Sequence, residues 1–366
     1  MASPLRRTPL HDRHVALGAK LGAFAGWDMP LEYSTVREEH RAVRGRAGVF
    51  DVSHMGQIEV TGQAARDSLG RTLTNDIEKL HPGAGQYTLV CREDGGTIDD
   101  LIVYQLDADR YLVICNASNV APVRDWITDR APVGAHVADR SDDYAMLAVQ
   151  GPAWEAALAP LTDVRAPSRL AYFDVAVIPL GGVDCLVART GYTGEPGVEI
   201  MCPADRAVGI WDVMQSGPDA PAPAGLAARD TLRMEMGYPL YGQELSLDRT
   251  PIEAGLKWAC DLDGDFTGAD VMRRQAAEGT PERLCIFALT EPGIPRSGCA
   301  VVSGEATIGT VTSGTLSPTL DIGIGMAYVP AALAAPGNAL HIDIRGKRKL
   351  AETRRRPLVD TSPKKE

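Results

Sequence analysis

The sequence predicts an α+β fold in which mostly antiparallel sheets are followed by a small β-barrel. Two turn signals, Glu93–Gly96 and Gly181–Gly182, lie between strand-like runs, which is typical of antiparallel hairpins. Strands and helices do not alternate strictly, so a doubly wound parallel sheet is not favoured. Beyond residue 281 the chain has short strands rich in Gly and Thr. We therefore expect one region over residues 1–280 and a β-barrel domain over residues 281–366.

The elements of the first region follow from residue patterning and from capping and turn residues. Thr35 and Glu38 fit a capping box, so a helix is expected to begin near Ser34 or Thr35 and to end at Gly45 or Gly48. Strand-like runs lie over 57–60, 86–92, 97–105, 110–115, 144–149, 173–180 and 183–189. Further helices are predicted over 63–70, 118–130 (with Ser118 as its cap), 225–236 and 268–278.

The composition is that of an ordinary globular chain with an acidic balance. Hydrophobic residues make up 45% of the 366 residues and charged residues 23%, so a sizeable core can be buried. The formal net charge of −11 argues against general nucleic-acid binding. No apolar run reaches the roughly 18 residues of a membrane helix, and the N-terminus lacks a secretory signal, so we expect a cytoplasmic protein. The seven cysteines show no CxxC spacing and the seven histidines do not cluster, so no metal site is expected.

Several common catalytic signatures are absent from the sequence. There is no GxGxxG after a strand and no GxxxxGK[ST], so dinucleotide and P-loop chemistry are not expected. There is no GxSxG elbow, so a serine hydrolase has no support. Ser53 and His54 are neighbours, but neighbours in an extended segment point apart. Turn capping and packing therefore explain this pair better than a nucleophile does.

Two adjacent acids, Asp99 and Asp100, stand inside the apolar strand predicted over 97–105. A charge in the middle of a strand costs free energy unless one face of the sheet is wet. Because successive strand residues point to opposite faces, the two carboxylates cannot form one acid–base dyad. We expect one to face a cleft and the other to face solvent or a partner group. The alternative is an edge strand protected by charge.

Two further segments could approach a ligand. Three glycines in Thr190–Gly197 let the backbone come close to a bound group. Tyr192 offers an aromatic face and a hydroxyl, and Glu199 follows in the next strand; an ordinary wide hairpin is the alternative. In the helix that comes later, Arg229 and Arg233 are four residues apart and share one face. That face is either solvated or lines the cleft, where an arginine grips a carboxylate with two N–H groups.

An ordered set of motifs resembles those of glycine cleavage T proteins. The set runs from about residue 5 to residue 330, which is nearly the whole chain, and the order makes it far more specific than any one motif. The motifs are LRRTPLHDRH, FAGWDMP, FDVSHMGQI, GGTIDDLIVY, CNASN, RTGYTGEPGVEI, GLAARDTLRMEMGYPLYGQEL, TPIEAGLKWA, GTVTSGTLSP and GMAYV.

The resemblance implies a three-domain, ring-like fold, with two interleaved subdomains in residues 1–280 and tetrahydrofolate bound in the central opening. It implies an aminomethyltransferase that takes a methylene group from the aminomethyl-lipoyl arm of a lipoylated H protein. The products would be 5,10-methylenetetrahydrofolate, ammonia and dihydrolipoyl H protein. Position by position, it makes Asp100 the essential catalytic acid. It gives the ligand-binding residues as Glu199, Arg229, Tyr192, Met55, Tyr87, Asn116 and Trp258.

These implied roles agree with the chemistry of the side chains. The Glu199 carboxylate can accept hydrogen bonds from neighbouring N–H groups of a pterin edge. Arg229 would offset the repulsion between the anionic folate tail and an acidic protein. An aspartate of ordinary pKa, about 3.9, is ionised near neutrality, so Asp100 is expected to need no raised pKa. As a carboxylate it would hold a folate amine proton and stabilise the iminium that forms as ammonia leaves.

Two other functions compete with this reading. A relative could use the same folate site to demethylate another methylated amine, sulfonium or ether. A non-enzymatic folate-binding protein of iron–sulfur maintenance would carry a KGCYxGQ-type motif, which this chain lacks. Pro196 departs from the family pattern, which often has GEDG, and a small effect is expected. The ending PLVDTSPKKE lacks a tyrosine found in some members, so a ligand contact there stays open.

One basic run, Arg345–Arg356, goes against the acidic balance of the chain. It is either a solvated strand face or a surface for an anionic partner. In the second case the partner would be the H protein, which in this family is usually acidic.

Overall fold

The computed structural model describes residues 4–163 and 165–361, and within them it contains nine α-helices. The helices are α1 (His11–Ala16), α2 (Val36–Gly45), α3 (Ala65–Thr72), α4 (Val120–Arg130), α5 (Trp154–Leu158), α6 (Arg165–Ser168), α7 (Ala207–Gln215), α8 (Leu226–Met236) and α9 (Ala269–Glu278). Within these residues no helix combines the length and the apolar character needed to cross a bilayer. The last five residues of the C-terminal ending considered above lie outside the described residues.

Nineteen β-strands accompany these helices in the described residues. The strands before residue 281 are β1 (Lys20–Phe24), β2 (Trp27–Glu32), β3 (Gly48–Asp51), β4 (Gly56–Thr61), β5 (Gly85–Cys91), β6 (Thr97–Asp107), β7 (Arg110–Cys115), β8 (His136–Asp139), β9 (Tyr144–Gln150), β10 (Val175–Leu180), β11 (Val183–Ala188), β12 (Gly197–Pro203) and β13 (Ala222–Pro223). The later strands are β14 (Glu282–Leu289), β15 (Ala300–Ser303), β16 (Ala306–Leu316), β17 (Gly323–Pro330), β18 (Ala339–Ile344) and β19 (Lys347–Arg354).

The strands form two open sheets, one hairpin and one closed barrel. The six-stranded sheet has the order β10-β11-β12-β9-β3-β13, and only its last pair, β3 with β13, is parallel. The five-stranded sheet, β5-β6-β7-β4-β8, is antiparallel throughout. The barrel has the order β14-β17-β16-β15-β18-β19 and closes through β14 and β19. The predicted α+β class, with mostly antiparallel sheets and a C-terminal barrel, is therefore confirmed.

Capping and turn residues place several elements where the sequence predicts them. The Thr35 hydroxyl accepts a hydrogen bond from the Glu38 N–H, so Thr35 caps α2 as predicted. The Glu38 carboxylate accepts from the Thr35 hydroxyl and not from its backbone N–H, so the second half of the capping box is replaced by a side-chain contact. Ser118 as the cap of α4 is wrong, because that helix follows a short 3₁₀ turn at Ala117–Asn119. The prediction missed α1 and the β1–β2 hairpin. The first is only six residues long, and β1 is too exposed to show an alternating pattern.

Apolar side chains fill the spaces on both sides of each open sheet. One cluster, which includes Trp154 and Trp211, packs α5 and α7 against the six-stranded sheet. A second cluster packs α3 and α4 against the five-stranded sheet. A third, with Phe50 and Tyr104, lies between the two sheets and joins their inner faces. Each large side chain buried in this way contributes about 1.5–3 kcal/mol of transfer free energy, so the relative position of the two sheets is set by this layer.

A buried polar network fastens α8 to the barrel. One oxygen of Glu235 accepts a hydrogen bond from Ser317 Oγ at 2.5 Å, and the other accepts one from Thr319 Oγ1 at 3.0 Å. The same carboxylate pairs with Arg44 Nη2 at 2.8 Å and lies 3.3 Å from His40 Nε2. Burial opposes its ionisation, but the partners outweigh this and lower the pKa of Glu235 to about 2.

Removing the Glu235 charge should weaken this connection. Glu235→Gln keeps the volume but removes the charge that pairs with Arg44 and accepts hydrogen bonds from Ser317 and Thr319, so the free energy of unfolding should fall by about 2 kcal/mol at pH 7. Because the folded pKa lies below the unfolded value, the contribution exists above about pH 4.5 and is lost as pH falls toward about 2. Urea unfolding of the wild type and of Glu235→Gln across this pH range measures the contribution of the Glu235 charge to stability. The exposed Glu278→Gln is the control and should change stability by less than about 0.5 kcal/mol; equal stability of the two variants would contradict the prediction.

Candidate functional site

A cavity of about 750 Å³ lies between the two open sheets, α8 and the segment that follows the last barrel strand. Its size is within the range of pockets that enclose a small organic ligand. All eight residues singled out from the sequence lie on its wall. They are Met55, Tyr87, Asp100, Asn116, Tyr192, Glu199, Arg229 and Trp258. The structure therefore brings together residues that are up to about 200 positions apart in the chain.

The two adjacent acids occupy opposite faces of β6. Asp100 faces the cavity, and its carboxylate accepts hydrogen bonds from the Tyr87 hydroxyl at 2.9 Å and from Asn116 Nδ2 at 3.1 Å. Asp99 is fully buried and does not line the cavity. The Asn116 N–H and Asn119 Nδ2 donate to it, and Asn116 Nδ2 also lies 2.9 Å from its Oδ1, so that one amide links the two acids. The expectation of one cleft-facing acid and one acid with a partner is met. The edge-strand alternative is wrong, because β6 lies between β5 and β7.

Burial changes the acidity of both carboxyl groups. It raises the pKa of Asp100 above its usual range, although the hydrogen bonds from Tyr87 and Asn116 act in the opposite direction. Burial also raises the pKa of Asp99, and the neighbouring charge of Asp100 adds to the effect. Asp100 therefore has a raised pKa, although its expected role was argued from an ordinary one. Once ionised, a carboxylate with a raised pKa is a stronger proton acceptor than an ordinary aspartate.

A carboxylate and a guanidinium stand on the same wall of the cavity. Thr190 Oγ1 donates a hydrogen bond to Glu199 Oε2 at 2.7 Å. Arg229, on α8, lies with its guanidinium carbon 5.0 Å from the centre of the Tyr192 ring. Burial lowers the pKa of Arg229, and the Glu199 charge opposes that change. Within the described residues, Arg229 Nη1 is buried without a hydrogen-bond partner, which indicates a place for an acceptor from a ligand.

Aromatic pairs supply flat surfaces around these polar groups. Tyr87 and Trp258 stack with ring centres 5.2 Å apart, and Trp258 remains 65% exposed, so it lies at the rim of the cavity. Tyr192 stacks on Tyr238 at 5.6 Å and donates its hydroxyl hydrogen to the Pro239 carbonyl. Across the described parts of the chain, no group of three or more His, Cys, Asp or Glu side chains is arranged to hold a metal ion.

The basic run near the C-terminus divides between the surface and the cavity. Arg348 pairs with Glu305 and Lys349 with Glu291 at the barrel surface, so much of the run is neutralised there. Arg356 instead turns inward and lines the cavity, where its two terminal nitrogens lie 3.5 Å from the Ala254 carbonyl. Sequence reasoning missed Arg356 as a site residue. The only signal was its membership of the run, which does not show which cation leaves the surface.

Sequence reasoning also left His54 out of the site. His54 is buried, lines the cavity and contacts the edge of Phe24 with ring centres 5.4 Å apart. Burial lowers its pKa to about 4, so the imidazole is neutral near pH 7. Ser53 Oγ accepts a hydrogen bond from the Met146 N–H, and Asp51 accepts one from the Ser53 N–H. Turn capping and packing therefore explain Ser53, as predicted, whereas His54 is part of the cavity wall.

Comparisons with known proteins agree over nearly the whole chain. The family model described as the GCVT N-terminal domain matches residues 10–264, and the glycine cleavage T-protein C-terminal barrel domain matches residues 282–360. The aminomethyltransferase of Streptomyces coelicolor is 48% identical, with 94% of this chain and 95% of the relative covered. That of Geobacillus kaustophilus is 45% identical, with 94% and 96% covered.

A solved structure shows the same arrangement of elements. The crystal structure of glycine cleavage system aminomethyltransferase T from Bartonella henselae superposes with a TM-score of 0.91 at 33% identity. The match covers 98% of this chain and 99% of that chain. Sequence, family models and three-dimensional structure thus agree, and the chain belongs to the glycine cleavage T-protein family of aminomethyltransferases.

Proposed function

We propose that this protein transfers the methylene group of an aminomethyl-lipoyl arm, carried by a lipoylated H protein, to tetrahydrofolate. The products are 5,10-methylenetetrahydrofolate, ammonia and dihydrolipoyl H protein. Membership of the family supports the reaction class. The observation that carries the proposal is that Asp100 shares one cavity with Glu199 and Arg229. We also retain, as proposals, a cytoplasmic location and a domain boundary near residue 281, next to the first residue of β14.

The cavity wall fits a folate in three respects. Glu199 can accept the neighbouring N–H groups of a pterin edge. Among the residues that the structure describes, Arg229 Nη1 is buried without a hydrogen-bond partner and Arg356 makes long contacts to the Ala254 carbonyl, so both can bind the anionic benzoyl-glutamate tail. The stacked Tyr87 and Trp258 rings add an aromatic surface of the kind that packs against planar ligands.

Asp100 is the proposed catalytic residue. Its carboxylate accepts two hydrogen bonds, from Tyr87 and Asn116, which hold it in one orientation toward the cavity. In this position it accepts the proton that a folate amine loses when that amine bonds to the transferred carbon and the carbon–sulfur bond to the lipoyl arm breaks. It then returns the proton to the amino group that leaves as ammonia, which makes Asp100 a carboxylate again. Its negative charge stabilises the cationic iminium that forms as ammonia leaves. The raised pKa makes the Asp100 carboxylate a stronger base. The group carries its negative charge mainly at pH values above that pKa.

The rate should therefore depend on pH through Asp100. We expect kcat/KM to fall on the acid side with a midpoint well above about 3.9, the value for an ordinary aspartate. Tyr87→Phe removes a hydrogen bond that favours the ionised form, so the midpoint should move to higher pH by roughly one pH unit. Transfer rates measured between pH 5 and pH 9 test both statements.

The control is Tyr241→Phe. Tyr241 lies on the same wall, but its hydroxyl does not hydrogen-bond Asp100, so the acid midpoint should stay within about 0.3 pH unit. A wild-type midpoint at or below pH 4, or equal shifts in the two variants, would remove Asp100 from the role of proton acceptor.

The proposed function itself is tested by reconstituted turnover. Purified protein is mixed with aminomethylated H protein and tetrahydrofolate, and 5,10-methylenetetrahydrofolate is measured. We expect product and ammonia in equal amounts. If the protein fails with H protein but demethylates a methylated amine, sulfonium or ether in the presence of tetrahydrofolate, the demethylase alternative replaces the proposal. If the protein binds folate but transfers no methylene group, the non-enzymatic folate-binding alternative replaces the proposal.

A further inference from the structure

Three buried side chains form a chain of hydrogen bonds that ends at the Glu199 carboxylate. Tyr104 O–H lies 3.0 Å from Thr190 Oγ1, and Thr190 Oγ1 lies 2.7 Å from Glu199 Oε2. Their exposed fractions are 0%, 3% and 5%, so all three side chains lie away from bulk solvent, and Thr190 and Glu199 reach only the cavity. The chain crosses between sheets, because Tyr104 belongs to β6 whereas Thr190 follows β11 and Glu199 belongs to β12.

The direction of this chain is fixed by the chemistry of its ends. An ionised carboxylate only accepts hydrogen bonds, so the Thr190 hydroxyl must donate its single hydrogen to Glu199. Thr190 then has no hydrogen left for Tyr104, and the Tyr104 hydroxyl must donate to Thr190. Burial raises the pKa of Tyr104, and the nearby Glu199 charge adds to this, so the phenol keeps the hydrogen that it donates. Hydroxyls aligned in one direction polarise one another and strengthen the last bond.

The surroundings hold both hydroxyl groups in place. Gln150 Nε2 donates to the Thr190 carbonyl at 3.1 Å, which fixes the backbone from which the hydroxyl projects. Gly85 is the β5 residue opposite Tyr104, and a Cβ there would overlap the Tyr104 ring, with its Cε1 only 2.7 Å away. The ring therefore lies flat across the glycine. These contacts hold the Thr190 backbone and the Tyr104 ring at the positions from which the two hydroxyl groups meet.

We propose that Tyr104 and Thr190 are positioning residues that hold Glu199 as an acceptor only and so select a ligand edge with two neighbouring N–H donors. Thr190 occupies Oε2, which leaves Oε1 and one lone pair of Oε2 for the ligand. A pterin with its 2-amino group presents such an edge. A ligand with a hydrogen-bond acceptor in place of either N–H group would be repelled by the carboxylate oxygen that faces it. This inference rests on the proposed function, because it assigns the polarity of the folate site.

The test compares variants that keep or remove one hydroxyl. Thr190→Val has nearly the same shape without the donor, and Thr190→Ser retains the donor. We measure binding of 5-formyltetrahydrofolate, a stable reduced folate, by titration calorimetry. Thr190→Val should raise the dissociation constant about five- to tenfold, and Thr190→Ser should stay within about twofold of wild type. The Michaelis constant for tetrahydrofolate should rise in parallel, while kcat falls less than about threefold.

A folate analogue without the 2-amino group gives a second measurement. If Thr190 acts by orienting Glu199 toward that group, Thr190→Val should weaken the analogue less than about twofold. Tyr104→Phe, which removes only the first donor, should weaken 5-formyltetrahydrofolate about threefold at an unchanged melting temperature, and it carries the test if Thr190→Val does not fold.

The outcomes separate this inference from the proposed function. An unchanged dissociation constant in Thr190→Val, or in a folded Tyr104→Phe, would contradict the positioning role of this hydrogen-bond chain. Wild-type folate binding and transfer would still support the proposed function. A Thr190→Ser variant that binds the folate as weakly as Thr190→Val would contradict the positioning role in the same way. A wild-type protein that does not bind the reduced folate at all overturns both.

Discussion

Asp100→Asn should reduce methylene transfer by about 1000-fold while the dissociation constant for reduced folate changes no more than about threefold. The amide has the shape of the carboxylate. Its oxygen in the Oδ1 position can still accept from Asn116 Nδ2, and its NH2 group in the Oδ2 position can donate to the Tyr87 hydroxyl oxygen. It cannot accept the amine proton, and it offers no negative charge to the iminium. General base catalysis contributes about 10²–10⁴-fold, and the lost charge stabilisation acts in the same step. The measurement is single-turnover transfer from aminomethylated H protein, with folate binding by calorimetry in parallel.

The control for lost charge alone is Asp270→Asn. Asp270 is 97% exposed at the beginning of α9, and its substitution should leave transfer within about twofold. Full activity of Asp100→Asn would end the assigned role of Asp100. Loss of folate binding equal to the loss of transfer would instead make Asp100 a binding residue.

Glu199→Ala should weaken reduced folate binding about 100-fold. A charged acceptor that pairs with two N–H donors contributes about 1.5–3 kcal/mol per bond, and a 100-fold change corresponds to about 2.7 kcal/mol. Calorimetric titration with 5-formyltetrahydrofolate measures the dissociation constant.

Glu199→Gln is the matched variant for this prediction. It keeps the volume and one acceptor oxygen, so its binding should fall between those of wild type and Glu199→Ala. Melting temperatures establish that both variants fold. A Glu199→Ala protein with the wild-type dissociation constant would place the pterin elsewhere in the cavity.

Local patterning was sufficient to predict many elements of the fold. The strand over 110–115 is observed as β7 at Arg110–Cys115, and the cap at Thr35 begins α2. Alternation along β6 also separated the two acids correctly. These features depend on residues close in sequence, for which period and capping geometry carry most of the information.

Local patterning could not predict the contacts between segments that are distant in the chain. The face with Arg229 and Arg233 could have been solvated, but the cavity covers one side of α8 and the barrel covers the other. Glu235 accepts a hydrogen bond from Ser317, which lies 82 positions later in the chain, and nothing in the local pattern around Glu235 indicates that partner. The pKa of Asp100 differs from its expected value for the same reason, because burial depends on which elements close over β6. Local patterning pointed to Asp100, Tyr192, Glu199 and Arg229 as candidates. Their roles, and the other four site residues, came from matching motifs, and all of these roles stay predictions.

The exposed position of Trp258 gives the molecule an optical reporter. Trp154 and Trp211 are almost completely enclosed in the core, whereas Trp258 is in contact with solvent and stacks on Tyr87. Its emission should therefore lie at longer wavelength than theirs. An aromatic molecule entering beside it would quench that part of the spectrum selectively. Arrival and departure rates could then be followed by stopped-flow fluorescence on the unlabelled protein.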